Sequence, residues 1–188
     1  MRPLPLGFYA RPAAVVARAL LGKRLVSTVG GARCALRIVE VEAYIGPDDP
    51  ACHAFGWHRS ARNETLYGRP GLLYVYFTYG MYWCANVVTE REGFPAAVLL
   101  RAIQPQERQE TISARRQGRD CIGPAKLTQA LAIDGALNGV DLCDPHSGLW
   151  IEAGPPLPES AILTGPRIGL YTVPEPWKSI PWRFRVRA

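Results

Sequence analysis

Ile38-Val39-Glu40-Val41-Glu42-Ala43-Tyr44 alternates apolar and polar side chains with a period of two, the spacing of a half-buried β-strand. The alternation sends Val39, Val41 and Ala43 to one face and Glu40, Glu42 and Tyr44 to the other. Two carboxylates and a phenol then share a side, which reads either as the solvated outer face of an antiparallel sheet or as a polar site carried by one strand. The strand begins at Ala35, and Leu25 to Thr28 forms its partner across the turn Val29-Gly30-Gly31.

Outward from this pair, Leu72 to Phe77 and Tyr82 to Val88 form a second hairpin across Tyr79-Gly80-Met81, and Ala96 to Ile103 forms a further strand. Upstream, Arg11 to Leu21 reads as a helix, with Pro12 in its first turn and Gly22 at its end. Downstream, Gln106 to Gln117 is a polar helix closed by Gly118, and Pro124 to Ile133 is a shorter apolar one. The last third is Pro-rich and irregular. The segment from Ile45 to Pro70 has little periodicity and is too long for a neutral connection, so it is expected to carry function. With no repeat and no linker, residues 1–188 are expected to form a single α+β domain.

A hydrophobic fraction of 48% with 20% charged residues excludes a disordered chain, while 18 Gly and 17 Pro demand many turns. The net charge of +6 comes from 19 Arg against only three Lys, which suits a polyanionic partner and is also compatible with a solvated arginine-rich surface. The five cysteines show no C-x-x-C pair and read as reduced and mostly buried; Cys52, His53 and His58 lack the paired spacing of a zinc site. Neither a secretory leader between Met1 and Phe8 nor an apolar run of about 18 residues is present, so a soluble intracellular protein is expected.

Several residues are placed for chemistry. Tyr74, Tyr76, Tyr79, Tyr82 and Trp83 fall within ten positions, enough for a stacking site beside the carboxylates as well as for core packing. Tyr79 and Met81 flank Gly80 at a turn, where an exposed wedge can enter a base stack. Arg101 closes the apolar run Ala96 to Leu100 and needs an anionic partner there. His53 is available for stacking or hydrogen bonding.

Taken in order, Ile38 to Gly46, Ala51-Cys52-His53, Arg62-Asn63, Leu73-Tyr74-Val75-Tyr76, Tyr79-Gly80-Met81-Tyr82, Asn86, Leu99-Leu100-Arg101-Ala102 and Gly123-Pro124 resemble the alkyladenine, or methylpurine, DNA glycosylases. The resemblance runs from about Phe8 to Val186. It implies one α+β domain with a curved antiparallel sheet surrounded by helices, needing neither metal nor cofactor. It implies a monofunctional enzyme of base excision repair that flips alkylated or deaminated purines out of double-stranded DNA and hydrolyses the N-glycosidic bond. By the same resemblance Glu42 is the general base and Arg101 helps hold the water. Tyr44, His53 and Tyr76 sandwich the flipped base, Asn86 screens out guanine, the Ile168 carbonyl contacts the water, and Tyr79 with Met81 intercalates. A monomer is implied, in a cytoplasmic, bacterial-type, nucleoid-associated setting without membrane contact. None of the lysines, Lys23, Lys126 and Lys178, matches a nucleophile. The chain stops at Arg187-Ala188, where relatives continue, and Trp57-His58 lies in a variable loop.

Two other classes fit some of these residues. A binding module without catalysis would use the aromatics and arginines but not Glu42. A carbohydrate hydrolase needs two carboxylates flanking a sugar, and Glu40 and Glu42 are too close in sequence for that.

Overall fold

Strand β2 (Cys34–Tyr44) is the seam of the protein in the computed structural model, which describes residues 2–31, 33–107 and 109–187. Along one edge β2 pairs antiparallel with β5 (Ala96–Pro105). Two strands share its other edge: β1 (Arg24–Ser27) pairs with Cys34 to Arg37, and β8 (Arg183–Val186) pairs with Glu40 to Glu42. The remaining strands are β3 (Leu73–Thr78), β4 (Tyr82–Thr89), β6 (Leu149–Glu152) and β7 (Ile162–Gly165). The main order is β3-β4-β5-β2-β1-β6, with β8 also on β2 and β7 on β8, giving one curved antiparallel sheet. Helices α1 (Leu6–Tyr9), α2 (Ala13–Leu20), α3 (Gln109–Arg116) and α4 (Pro124–Leu131) complete the α+β domain.

The register of β2 on β5 contains two compensating irregularities. Ile38 faces Ile103, Glu40 faces Ala102 and Val41 faces Leu100, so Val39 is an extra residue on β2 and Arg101 an extra residue on β5. This corrects the simple alternation. Leu36 and Ile38 point into the core before the bulge and Val41 and Ala43 after it, whereas Val39 is only half-buried and does not join Val41 and Ala43 there. The bulge bends the strand, and at the same place the opposite edge passes from β1 to β8.

One core lies beneath this sheet, where Val16, Ala17 and Leu20 of α2 and Leu127, Ala130 and Leu131 of α4 meet Leu36, Ile38, Val98 and Leu100. Helix α2 is shorter than Arg11 to Leu21 because Pro12 caps it and Gly22 turns at φ +79°. Gln106 and Glu107 do not belong to helix α3, since their N–H groups both donate to the Ala35 carbonyl, each at 3.1 Å. Helix α4 ends at Leu131, with Ala132 in the left-handed region at φ +55°. The last third is not wholly irregular: β6, β7 and β8 are four-residue strands, too short to show a period of two, that form because β1 offers an open edge to β6, β2 to β8, and β8 in turn to β7.

Ile45 to Pro70 contains no strand, only two 3-10 turns at Phe55–Trp57 and Glu64–Tyr67. The buried Asn63 side chain organises it, donating to the carbonyls of His53 and His58, both at 2.9 Å. Among the described residues no helix is long and apolar enough to cross a membrane. No three His, Cys, Asp or Glu side chains gather there as a metal site, and the five cysteines are unpaired.

Candidate active site

Cross-strand pairing places one row of side chains on the sheet face away from the core: Glu42 on β2, Leu99 on β5, Asn86 on β4 and Tyr74 on β3. Strands lie about 4.8 Å apart, so Glu42 and Asn86, two strands apart, are separated by roughly 10 Å. Tyr76 pairs with Cys84 two positions along, and Tyr44 stands two positions beyond Glu42.

Glu42 lies on this face yet is 0% exposed, which overturns the solvated-face reading of the strand. The segment after β7 closes over it, and the Ile168 N–H donates to Oε1 at 2.8 Å. Tyr44 donates its hydroxyl to Oε2 at 3.0 Å. Arg101 lies 3.4 Å from each carboxylate oxygen, through Nε to Oε1 and Nη1 to Oε2. Its Nε also donates to Glu40 at 3.0 Å, and Arg183 reaches Glu40 at 3.5 Å. The site is thus two carboxylates interleaved with two guanidiniums. Arg101 finds the anionic partners that its sequence position demands, although β5 continues past it to Pro105; the bulge is what turns its side chain to Glu42.

Burial pushes the Glu42 carboxyl above its ordinary pKa, and the nearby Glu40 adds to the rise. Arg101, the Ile168 N–H and the Tyr44 hydroxyl pull it back without cancelling the burial. Burial, followed by the charge on Glu42, holds the Tyr44 phenol well above its usual value, so it remains a donor. A carboxylate with a raised pKa is suited to accepting a proton near neutral pH.

The aromatic residues gather beside it. Tyr74 and Tyr76 stack with ring centres 5.4 Å apart, and His53 meets Tyr76 edge-on at 4.5 Å. His53 Nδ1 lies 2.9 Å from the Tyr74 hydroxyl. Burial and then the Arg62 charge lower the His53 pKa, leaving a neutral ring at neutral pH. Tyr44 and Tyr76 pack on the same small cluster around Cys52 and Ala54, so the structure brings Tyr44, His53 and Tyr76 together. Asn86 is buried and donates its amide to the Tyr74 carbonyl at 3.2 Å.

Tyr79 stands apart from that group. It is 86% exposed at the tip of the β3–β4 hairpin, at φ +53° and followed by Gly80 at φ +67°, the two positive angles of a type I′ turn. Few non-glycine residues adopt that conformation, and here it projects the ring outward next to the exposed Met81. Ile168 is half-exposed, and its N–H contacts Glu42, a bond that the sequence reading did not name. A cleft of 790 Å³ runs beside the site along Arg37, Val39, Glu40 and Arg185 but includes neither Glu42 nor the aromatic group.

Two residues escaped the sequence reading. Arg167 and Asp49 form a fully buried ion pair, and Arg167 lies over the Tyr44 ring at 4.7 Å. Arg167 sits within Pro166-Arg167-Ile168-Gly169 and Asp49 within the long loop, but nothing local pairs positions 118 apart.

A buried, arginine-clamped carboxylate thus lies beside an aromatic cluster on a curved antiparallel sheet, and comparison with known proteins places the chain among hydrolases of the DNA glycosylase class. Within that class the chain belongs to the methylpurine-DNA glycosylase family, whose model matches residues 7–188. A Methanocella arvoryzae protein is 48% identical over 189 residues, covering 98% of this chain and 92% of its own. A Burkholderia lata protein is 45% identical, covering 97% and 87%, and one from Desulfitobacterium hafniense is 42% identical, covering 98% and 95%. All three are provisionally named 3-methyladenine DNA glycosylases.

Proposed function

We propose that this protein is a monofunctional glycosylase that flips alkylated or deaminated purines from duplex DNA and releases them with a water activated by Glu42. The observation that carries this reading is the fully buried Glu42 carboxylate, held by Arg101, Tyr44 and the Ile168 N–H in one row with Asn86. Burying a carboxylate is costly, and a module that only bound nucleic acid would have no use for it.

In the proposed reaction the bond from the sugar carbon to the purine nitrogen breaks, its electron pair leaving with the base. Glu42 takes a proton from water as the water oxygen bonds to that carbon, and its charge faces the developing sugar cation. Such base catalysis is worth about 10^2- to 10^4-fold. Arg101 orients the water and keeps Glu42 ionised. Tyr44, His53 and Tyr76 face the extruded base, and a cationic purine gains roughly 0.5 to 2 kcal/mol against aromatic rings. His53 contributes as a neutral ring and so does not repel that cation. The Ile168 carbonyl is a further candidate contact for the water.

The direct test is incubation with duplexes that each carry one modified purine, with released base as the readout. Release with the strand left uncut and no borohydride-trapped adduct is expected; no release from any duplex would refute the reading.

Tyr79 and Met81 enter the base stack in this proposal, filling the space left by the extruded nucleotide. Tyr79→Ala is expected to weaken capture of the flipped base, and less so where the lesion lies opposite a mismatch, because unpairing costs a few kcal/mol that a mismatch has already reduced. Equal losses in matched and mismatched duplexes would reduce Tyr79 to a turn residue.

Asn86 is proposed to exclude guanine by facing the purine edge where guanine carries its amine. Asn86→Ser is expected to admit guanine from a mismatch, eroding selectivity by roughly 1 to 3 kcal/mol. Its bond to the Tyr74 carbonyl supports a competing structural role, which predicts a lower melting temperature with base preference unchanged.

A further inference from the structure

We infer that the buried Asp49–Arg167 ion pair is a positioning device for the general base, fixing the direction of the Glu42 carboxylate and the plane of the Tyr44 ring. The inference rests on the reading of Glu42 given under Proposed function.

Both side chains are 0% exposed, and the pairing is two-pronged: Arg167 Nη1 to Asp49 Oδ2 at 2.5 Å and Nη2 to Oδ1 at 2.9 Å. Nη1 also donates to the Ala43 carbonyl at 3.1 Å, between Glu42 and Tyr44 in the chain, and Nη2 to the Trp177 carbonyl at 3.4 Å. The guanidinium carbon lies over the ring of Tyr44, at 4.7 Å, and over that of Trp182, at 5.1 Å. The next residue is Ile168, whose N–H donates to Glu42 at 2.8 Å. Asp49 in turn accepts from the backbone N–H groups of Ala51 at 3.0 Å and Ile45 at 3.4 Å, tying in the loop that leads to His53. One ion pair therefore joins three segments, and each of them delivers a residue of the proposed site.

Stability alone does not call for such a pair, because apolar residues of similar size at a buried ion-pair site are often as stable or more so. What they lack is direction. The planar fork of arginine fixes an angle as well as a distance, and a flexible ammonium does not. An N–H aimed at Glu42 also favours its ionised form, so the pair governs the charge as well as the orientation of the base.

The test uses Arg167→Lys and the double variant Asp49→Leu with Arg167→Met, the latter chosen because it leaves no unpaired buried charge. Single-turnover release of 3-methyladenine from methylated duplex DNA is measured across pH, alongside binding to that DNA and thermal melting. Both variants are expected to lose roughly 10- to 100-fold in the plateau rate, as small misplacements at a reacting centre do, with a smaller loss in binding to damaged DNA. The acid limb of the rate profile should move to higher pH, because Glu42 loses a donor that favoured its charge. A folded double variant with the wild-type plateau and acid limb would overturn the inference, as would a loss matching only the unfolded fraction. Absence of release by the wild-type protein itself would instead refute the glycosylase reading, and this inference with it.

Discussion

Glu42→Gln is expected to reduce base release by about 10^2- to 10^4-fold in single-turnover assays, while binding to damaged duplex stays within a few-fold of wild type. Glutamine keeps the shape and can still accept the Ile168 N–H, but it cannot take a proton from water. The wild-type rate should rise with pH through a limb above the ordinary carboxylate range, because burial raises the Glu42 pKa. In the variant that limb should be absent.

The same shift has a stability consequence of definite sign. A carboxyl whose pKa is raised by folding binds its proton more tightly in the folded state, so its contribution is fully present below the unfolded pKa and is lost as pH rises through the folded one. Glu42→Gln should therefore melt no lower than wild type at neutral pH and show a flatter dependence of melting temperature on pH. A variant that released base at near wild-type rate would remove Glu42 from the mechanism.

Arg101→Met is expected to be nearly as damaging at neutral pH, with a loss on the order of 10^2-fold or more, and to recover partly in alkali. The guanidinium is the largest influence opposing burial at Glu42, so its removal raises the Glu42 pKa further and lowers the share of ionised base at a given pH. The rate should then climb with pH over a wider range than in the wild type. If Arg101 only held the water, the loss would be uniform across pH, and measuring the complete profile separates the two. Arg101→Lys should lie between, since a single ammonium cannot serve Glu40 and Glu42 as the two-sided guanidinium does.

Local pattern alone determined much of the fold. The period of two in β2 on either side of its bulge, the Gly-Gly turn before it, the β3–β4 hairpin and the start of α4 at Pro124 are short-range consequences of side-chain alternation, glycine freedom and proline geometry. The same local reading marked Glu40, Glu42 and Tyr44 on one strand face, the tyrosines around Tyr74 and Tyr76, and Tyr79 at a turn; the choice of Glu42 and Tyr76 among them came from the family resemblance. Their grouping with His53 and Asn86 came from resemblance to a family, not from periodicity.

Tertiary structure decided whether Glu42 faces water. Its place on the strand face away from the core gave no sign of burial; the Pro166 to Gly169 segment, more than 120 residues later, supplies it. Tertiary structure also decided the bulge at Val39 and Arg101, since a register slip is a property of two strands and neither strand carries it alone. The short strands β6 to β8 formed only because open edges were waiting for them, and the Asp49–Arg167 pair only because the chain returned across β2. Sequence set which residues could do chemistry. Long-range closure set which of them lost water, and desolvation is what turns a surface carboxylate into a base of raised pKa.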